Sequence, residues 1–326
     1  MNPPRILITD EVHPVLLDGL REMAFDLDYH PAIAYEDVLQ LIGSYDGLVV
    51  NSKIICDQNF IDRAARLRFI ARLGSGREII DLEYAASRGI QTFFSPDGNN
   101  NAVAEHALGM LLALANQLVK ADRQVRQKIW EREARRGWEL SGKTIGIIGF
   151  GYTGSQFARK LAGMEMKVLV HDKYLSGFQS QLPFIVETGK EDIIREADII
   201  SFHLPLSAET YHYCNDDLIG SCKPGVILIN TSRGNVIDTK ALVRGLTSGR
   251  VGGACLDVFE NEKPMTFTAE EDRLYSTLYA MDQVILSPHI AGWTRESKYK
   301  MASILLKKIL NLYRSGDHEN RSGATL

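Results

Sequence analysis

Cysteine is scarce in this chain. The four present in 326 residues, Cys56, Cys214, Cys222 and Cys255, form no CxxC pair. They therefore define neither a disulfide framework nor a redox motif, and reduced, buried thiols are expected. An excess of positive charge is also missing. A formal net charge of −4 leaves no strongly basic surface of the kind that phosphate backbones demand, so nucleic acid is not an expected partner. The longest apolar run, residues 107–115, is far short of the roughly 20 residues that span a bilayer, and no membrane association is expected. The opening MNPPRILITDE lacks the charged and apolar regions of a signal peptide, which predicts a cytoplasmic protein. No HExxH or comparable metal-ligand spacing occurs, and neither does an internal repeat.

What is present is alternation. Short β-branched runs at 5–9, 48–50, 69–71 and 91–94 are separated by apolar residues at helical spacing over 12–22, 35–42, 57–65 and 79–87. Such alternation predicts a parallel sheet with helices on its faces. One long helical stretch follows, over 102–133, and then the loop RRGWELSGK. A second series then reads as seven strands, at 144–149, 167–172, 184–187, 198–204, 226–230, 253–257 and 284–287. A last helix, 294–313, and a frayed polar tail are too short to form a domain. The chain is therefore expected to leave a first domain near residue 100, build a second, and return. The predicted substrate domain is 1–100 plus 290–326 and the inserted dinucleotide-binding domain is 101–289. The predicted class is α/β with two doubly wound parallel-sheet domains, and a cleft between such domains is a natural place for a ligand.

The segment TIGIIGFGYTG holds Gly149-x-Gly151-x-x-Gly154 between a β-branched strand and an amphipathic helix. Gly149 suits a tight turn, Gly151 lets backbone approach a pyrophosphate, and Gly154 allows close helix–strand packing. The helix N-terminus then offers its free N–H groups to the phosphates. Asp172 stands at the end of the next strand, 23 residues on (172 − 149). A carboxylate there accepts hydrogen bonds from ribose hydroxyls and repels a 2′-phosphate, so NAD is the expected cofactor.

Three further residues follow three strands of the same domain: Arg233 after VILIN, Glu262 in CLDVFENE, and His289 in ILSPHIAGW. A guanidinium grips a carboxylate through two parallel hydrogen bonds at any relevant pH. An imidazole exchanges a proton with a carbonyl or hydroxyl oxygen near neutrality. A neighbouring carboxylate raises the imidazole pKa and orients the ring. Together they suit hydride transfer at an oxygen-bearing carbon of a small acid. Glu260, in the same loop as Glu262, reads equally well as a solvated charge.

At these residues the chain resembles the D-isomer-specific 2-hydroxyacid dehydrogenase family, in particular its phosphoglycerate dehydrogenase-like branch. The matching segments are GFGYTG, LPLSAET, INTSRG, CLDVFENE and SPHIAGWT, with LRFIARLGSG and AVAEHALGMLLAL earlier, in order from about residue 45 to 300. The resemblance implies a Rossmann domain inserted into a flavodoxin-like one. It implies an oxidoreductase moving a hydride between NAD(H) and C2 of a small D-2-hydroxy acid or 2-oxo acid, with Arg233, Glu262 and His289 catalytic. The implied cofactor set comprises Gly149, Gly151, Tyr152, Thr153, Gly154, Asp172, Leu204, Pro205, Thr231, Ser232, Asp257 and Gly292, with Asp257 on the nicotinamide carboxamide. The implied substrate set is Asn51, Lys53, Ser75, Gly76, Arg233 and His289, with the Gly74-Ser75-Gly76 backbone on the carboxylate. A homodimer through the helix after residue 100 follows from the same likeness.

Some positions depart from that pattern. Arg77-Glu78-Ile79 stands where many relatives carry Asp-Asn after the substrate loop. Asn51-Ser52-Lys53 stands where phosphoglycerate dehydrogenases often have Arg-Ser-Arg, which weakens the case for a phosphorylated substrate. Glu262, in place of the glutamine of formate dehydrogenases, disfavours formate. No C-terminal regulatory domain is expected. The basic stretch 120–136 reads as a solvated helix face, from which Arg132 or Arg135 is a candidate to reach a partner's site. His106 reads as a satisfied interface histidine. The competing functional reading is an NAD-sensing binding protein or corepressor with vestigial catalysis.

Overall fold

The structure is a computed structural model that describes residues 3–321, with side chains through Arg314. The chain divides into two compact units. The described residues up to Asn99 and from Trp293 onward form the first, and Asn100–Gly292 form the second.

The first unit is a five-stranded sheet of β1 (Arg5–Ile8), β2 (Asp26–Tyr29), β3 (Gly47–Val50), β4 (Phe69–Arg72) and β5 (Gln91–Phe94), in the order β2-β1-β3-β4-β5. Every pairing is parallel, which is the flavodoxin-like order. The inner strands are apolar on both faces because helices cover both, and Ile6, Leu7, Ile8, Leu48 and Val49 are fully buried. The strand missed in the sequence is β2. As an edge strand it is half exposed and carries two aspartates. Asp28 accepts from Arg5 Nη2 at 2.8 Å and from the Tyr45 hydroxyl at 2.6 Å, so polarity hides a strand that side-chain bonds hold in register. The last helix, Arg295–Arg321, continues beyond the expected end at 313. Its Ala302, Leu305 and Ile309 join Ile6, Ile8, Leu16 and Phe69 in one core.

The second unit is a seven-stranded sheet of β6 (Thr144–Ile148), β7 (Lys167–His171), β8 (Ile185–Glu187), β9 (Ile199–Phe202), β10 (Val226–Asn230), β11 (Val251–Leu256) and β12 (Val284–Leu286). The order is β12-β11-β10-β9-β6-β7-β8, parallel throughout. Strand order reverses between β6 and β9, the place where doubly wound sheets open a crevice at their carboxyl ends. The helix Asn100–Ala115 buries Ala104, Ala107 and Leu111 against Ile147, Phe157 and Ala158.

The single helix expected over 102–133 is instead two, Asn100–Ala115 and Leu118–Arg126, bent by 62°. Gln117 breaks it with a left-handed backbone, φ 51°, which disfavours continuation. Its side chain fixes the break by donating to the Arg136 carbonyl at 2.9 Å and accepting from Arg135 Nη1 at 2.7 Å. Residues 133–135 form only a short 3₁₀ turn. No single helix among the described residues is long and apolar enough to cross a membrane.

Phe69 is fully buried in the first unit, its ring 6.0 Å from Phe93 and 6.4 Å from Tyr313. Phe69→Ala should lower the stability of that unit by about 3–5 kcal/mol, read by denaturant titration. A loss under about 1 kcal/mol would mean that the site collapses onto the cavity.

Candidate active site

The turn after β6 is built by glycine. Gly149 has φ 92°, and a Cβ on Gly154 would lie 2.0 Å from the Gly149 carbonyl oxygen. The helix Tyr152–Lys160 therefore starts directly against the turn. A Cβ on Gly151 would meet nothing within 4 Å, so the backbone there faces open space. Tyr152 is exposed and Thr153 half-buried in the first helical turn. Across the switch point, the chain after β9 lays His203 and Leu204 beside Gly149, followed by exposed Pro205.

Asp172 is more occupied than sequence reading implied. Its Oδ2 accepts from Phe150 N at 2.7 Å, and its Oδ1 accepts from Tyr174 N at 2.9 Å and Leu175 N at 3.0 Å. The carboxylate thus fixes the glycine turn and the chain that follows β7. Thr231, after β10, is buried, and its hydroxyl has no hydrogen-bond partner. A buried polar group without a partner needs an explanation. A dinucleotide along this crevice supplies one, so the residues present fit NAD. Ser232 is turned inward, its N–H and hydroxyl both donating to Asn230 Oδ1 at 3.0 and 2.8 Å.

The three sequence-predicted catalytic residues lie in loops after β10, β11 and β12. Gly234 lets the first two meet, because a Cβ there would stand 1.9 Å from the Phe259 carbonyl oxygen. His289 Nδ1 is 2.8 Å from Glu262 Oε2. Both side chains are partly exposed, at 51% and 39%, and the opposite ring nitrogen, Nε2, bonds to no described group. The hydrogen bond to Glu262 raises the His289 pKa above its ordinary value against the effect of burial, and the charges of Glu262 and Asp257 add to it while Arg233 opposes. Burial pushes the Glu262 carboxyl up, but the His289 bond and charge, the Phe259 N–H and the charge of Arg233 outweigh it and hold the group below its usual range. Arg233 therefore acts electrostatically on both partners, and its Nη1 also donates to the Ser232 carbonyl at 2.7 Å.

Asp257 is 1% exposed. Oδ1 accepts from Ser287 Oγ at 2.6 Å and Ile290 N at 2.9 Å, and Oδ2 accepts from Ala291 N at 2.8 Å. The His289 N–H donates to the Asp257 carbonyl at 2.7 Å. These bonds wrap the 287–291 loop around one carboxylate and hold His289 at φ 57°, a left-handed conformation costly to a residue with a side chain. Gly292 ends this loop as the last residue of the unit.

Sequence reading passed over Ser287, which carries this loop, and Asn230, whose Nδ2 donates to the Arg233 carbonyl at 2.9 Å. The available signal was a polar residue ending a buried strand, which must find a partner. Glu260 is not a solvated charge. It accepts from Thr239 N at 2.7 Å and pairs with His212 Nε2 at 2.7 Å, fixing the start of the helix Thr239–Ser248.

In the first unit, Gly74 has φ 128° and its N–H donates to Ser95 Oγ at 3.0 Å. The Gly76 carbonyl accepts from Arg72 Nη1 at 2.6 Å. The N–H groups of Ser75 and Gly76 have no acceptor among the described residues. Asn51 N donates to Asp10 Oδ2 at 2.9 Å, and Lys53 Nζ donates to the Pro31 carbonyl at 2.7 Å.

Comparison with known proteins agrees with this geometry. Residues 108–291 match the family model of the D-isomer specific 2-hydroxyacid dehydrogenase NAD binding domain. The chain is 35% identical over 317 residues to the glyoxylate reductase of Pyrococcus furiosus, covering 94% of this chain and 91% of that protein. It is 31% identical over 308 residues to the D-3-phosphoglycerate dehydrogenase of Archaeoglobus fulgidus, covering 94% of this chain but 57% of that longer protein. The chain thus spans about half the length of the phosphoglycerate dehydrogenases it matches. The crystal structure of D-lactate dehydrogenase from Aquifex aeolicus, complexed with NAD and lactic acid, superposes with a TM-score of 0.85 at 28% identity, covering 98% of each chain. On the family model that matches more than half of its length and the likeness to the glyoxylate reductase along nearly all of it, the chain belongs to the D-isomer specific 2-hydroxyacid dehydrogenase family.

Proposed function

We propose that this protein is an NAD-dependent dehydrogenase that interconverts a small D-2-hydroxy acid and its 2-oxo acid. The observation that carries the proposal is the His289–Glu262 pair, held within the electrostatic reach of Arg233 at the carboxyl end of the dinucleotide sheet. Bound NAD(H) supplies or takes up the hydride at C2. His289, with Nδ1 committed to Glu262, presents Nε2 to the substrate oxygen, protonating it in reduction and taking the proton in oxidation. Glu262 keeps the ring oriented and basic enough to carry that proton. Arg233 holds the substrate carboxylate and stabilises negative charge on the oxygen. The N–H groups of Ser75 and Gly76, which bond to no described group, are the proposed backbone donors to the carboxylate, with Asn51 and Lys53 completing the substrate set. Tyr152, Thr153, Leu204, Pro205, Thr231, Ser232, Asp257 and Gly292 are proposed to line the cofactor with the three glycines and Asp172.

Within the substrate class, we favour short unphosphorylated acids of the glyoxylate and hydroxypyruvate type over a phosphorylated one. The chain covers 91% of a glyoxylate reductase and 87% of a hydroxypyruvate reductase from Thermotoga maritima. Moreover, Asn51 stands where phosphoglycerate dehydrogenases often carry an arginine, which leaves Lys53 as the one cation of the Asn51-Ser52-Lys53 segment. Four buried free thiols support a cytoplasmic location. A homodimer through the helix pair after residue 100 is supported by exposed Leu118, Val119, Val125, Ile129 and Trp130.

NADH consumption against a panel of 2-oxo acids, phosphorylated and not, tests the proposal directly. Rapid oxidation with a short acid is expected, reduced about 10³-fold by His289→Ala with cofactor binding kept. Tight NADH binding without turnover on any acid would favour a cofactor-sensing role.

Reduction requires protonated His289, so its rate falls as pH rises through the raised His289 pKa. Glu262→Gln removes the charge responsible and should move that limb of the pH–kcat/KM profile to lower pH. An unmoved limb would mean that another group sets it.

Asp172→Ala should raise the NADPH/NADH ratio of kcat/KM by about tenfold, the worth of one unfavourable charge contact. An unchanged ratio would restrict Asp172 to holding the turn.

A further inference from the structure

His106 sits on the helix Asn100–Ala115 among the buried residues Ala102, Val103, Ala104, Ala107 and Met110, outside the set of residues given a chemical role above. Its side chain is 25% exposed. Nε2 lies 2.8 Å from Ser287 Oγ. That hydroxyl is also 2.6 Å from Asp257 Oδ1. A carboxylate only accepts, and a serine hydroxyl has one proton to give, so Ser287 donates to Asp257. The Ser287 oxygen must then accept from His106, which assigns the proton on His106 to Nε2.

The result is a directed chain of donors, His106 to Ser287 to Asp257, ending in the carboxylate around which the 287–291 loop is wound. His289 lies in that loop with a left-handed backbone, a conformation that persists only where its surroundings over-determine it. Asp257 provides that constraint through Ser287, Ile290 and Ala291. Without a donor from His106, the Ser287 oxygen loses the bond that polarises its O–H, and the hydrogen bond that ties Ser287 to Asp257 weakens.

We propose that His106 is a positioning residue for His289, acting through Ser287 and Asp257 from the neighbouring helix. The proposal rests on the reading of His289 as the acid–base group, but its test does not depend on turnover. The charged groups that face His289 are Glu262, Asp257 and Arg233, and His106 faces Asp257 at 3.6 Å. A change at His106 therefore reaches His289 by way of Asp257.

The experiment follows the titration of the His289 ring by NMR in the cofactor-free full chain, the signal being assigned by its loss in His289→Ala. The variants are His106→Leu, His106→Gln, Ser287→Ala and the His106→Leu/Ser287→Ala double. The His289 midpoint should move in His106→Leu and in Ser287→Ala. The double variant should move no further than Ser287→Ala alone, because both changes break one chain. His106→Gln keeps an N–H donor at similar reach and should recover most of the wild-type titration.

In the assay, the single-turnover rate of NADH oxidation should fall about tenfold in His106→Leu, the usual weight of one buried charge-linked hydrogen bond. NADH Kd and substrate KM should stay within about twofold. If His106→Leu fails to fold, His106→Gln and Ser287→Ala carry the test. A His289 titration unmoved in Ser287→Ala, or equal losses in His106→Leu and His106→Gln, would overturn the proposal. A wild-type enzyme inactive on every 2-oxo acid would overturn the catalytic reading, while the titration would still decide the positioning role.

Discussion

A carboxyl group buried to 1% exposure needs donors in place of the water it has lost. Asp257 is in that position, and the candidate site is built around meeting its demand. One hydroxyl and two backbone N–H groups from a single loop turn inward to it. The same turn sends the side chain of His289 outward, toward Glu262. The direction of the ring is thus set by a charge it does not touch through its own side chain. The strain of a left-handed histidine is balanced by bonds that a relaxed loop would leave unmade.

The sheet supplies the rest of the geometry. Because β10, β11 and β12 are successive parallel strands, the loops bearing Arg233, Glu262 and His289 emerge at one edge in that order. Parallel connection returns the chain to the same end each time, so residues far apart in sequence become neighbours without any local signal. The glycine turn after β6 opens at the same end, which is what lets the proposed dinucleotide and acid–base chemistry share that edge.

Much of this was legible in the sequence, and the reasons differ by element. The inner strands of the second unit are apolar on both faces and bounded by turns, so β-branched runs mark them. The dinucleotide turn is legible because three glycines at fixed spacing have few uses after a strand. The edge strand β2 was not legible, since Asp26 and Asp28 belong to an ion-pair pattern that appears only once Arg5 and Tyr45 are beside them. The break at Gln117 was hidden for a related reason. Its side chain is paid in hydrogen bonds by Arg135 and Arg136, partners that helical periodicity does not weigh. Within the site, residue types announced Arg233, Glu262 and His289. Ser287 and His106 act through contacts 181 positions apart, and only the fold brings those together.

Gly234 carries a consequence at the level of the gene. Every other amino acid has a Cβ, and at this position a Cβ would stand 1.9 Å from a carbonyl oxygen of the adjoining loop. Backbone cannot swing aside as a flexible side chain does. Every missense change in this codon, however conservative it looks on a substitution table, therefore pushes apart the loops that bear Arg233 and Glu262. Codon 234 should tolerate only synonymous variation wherever selection maintains the spacing of those two side chains.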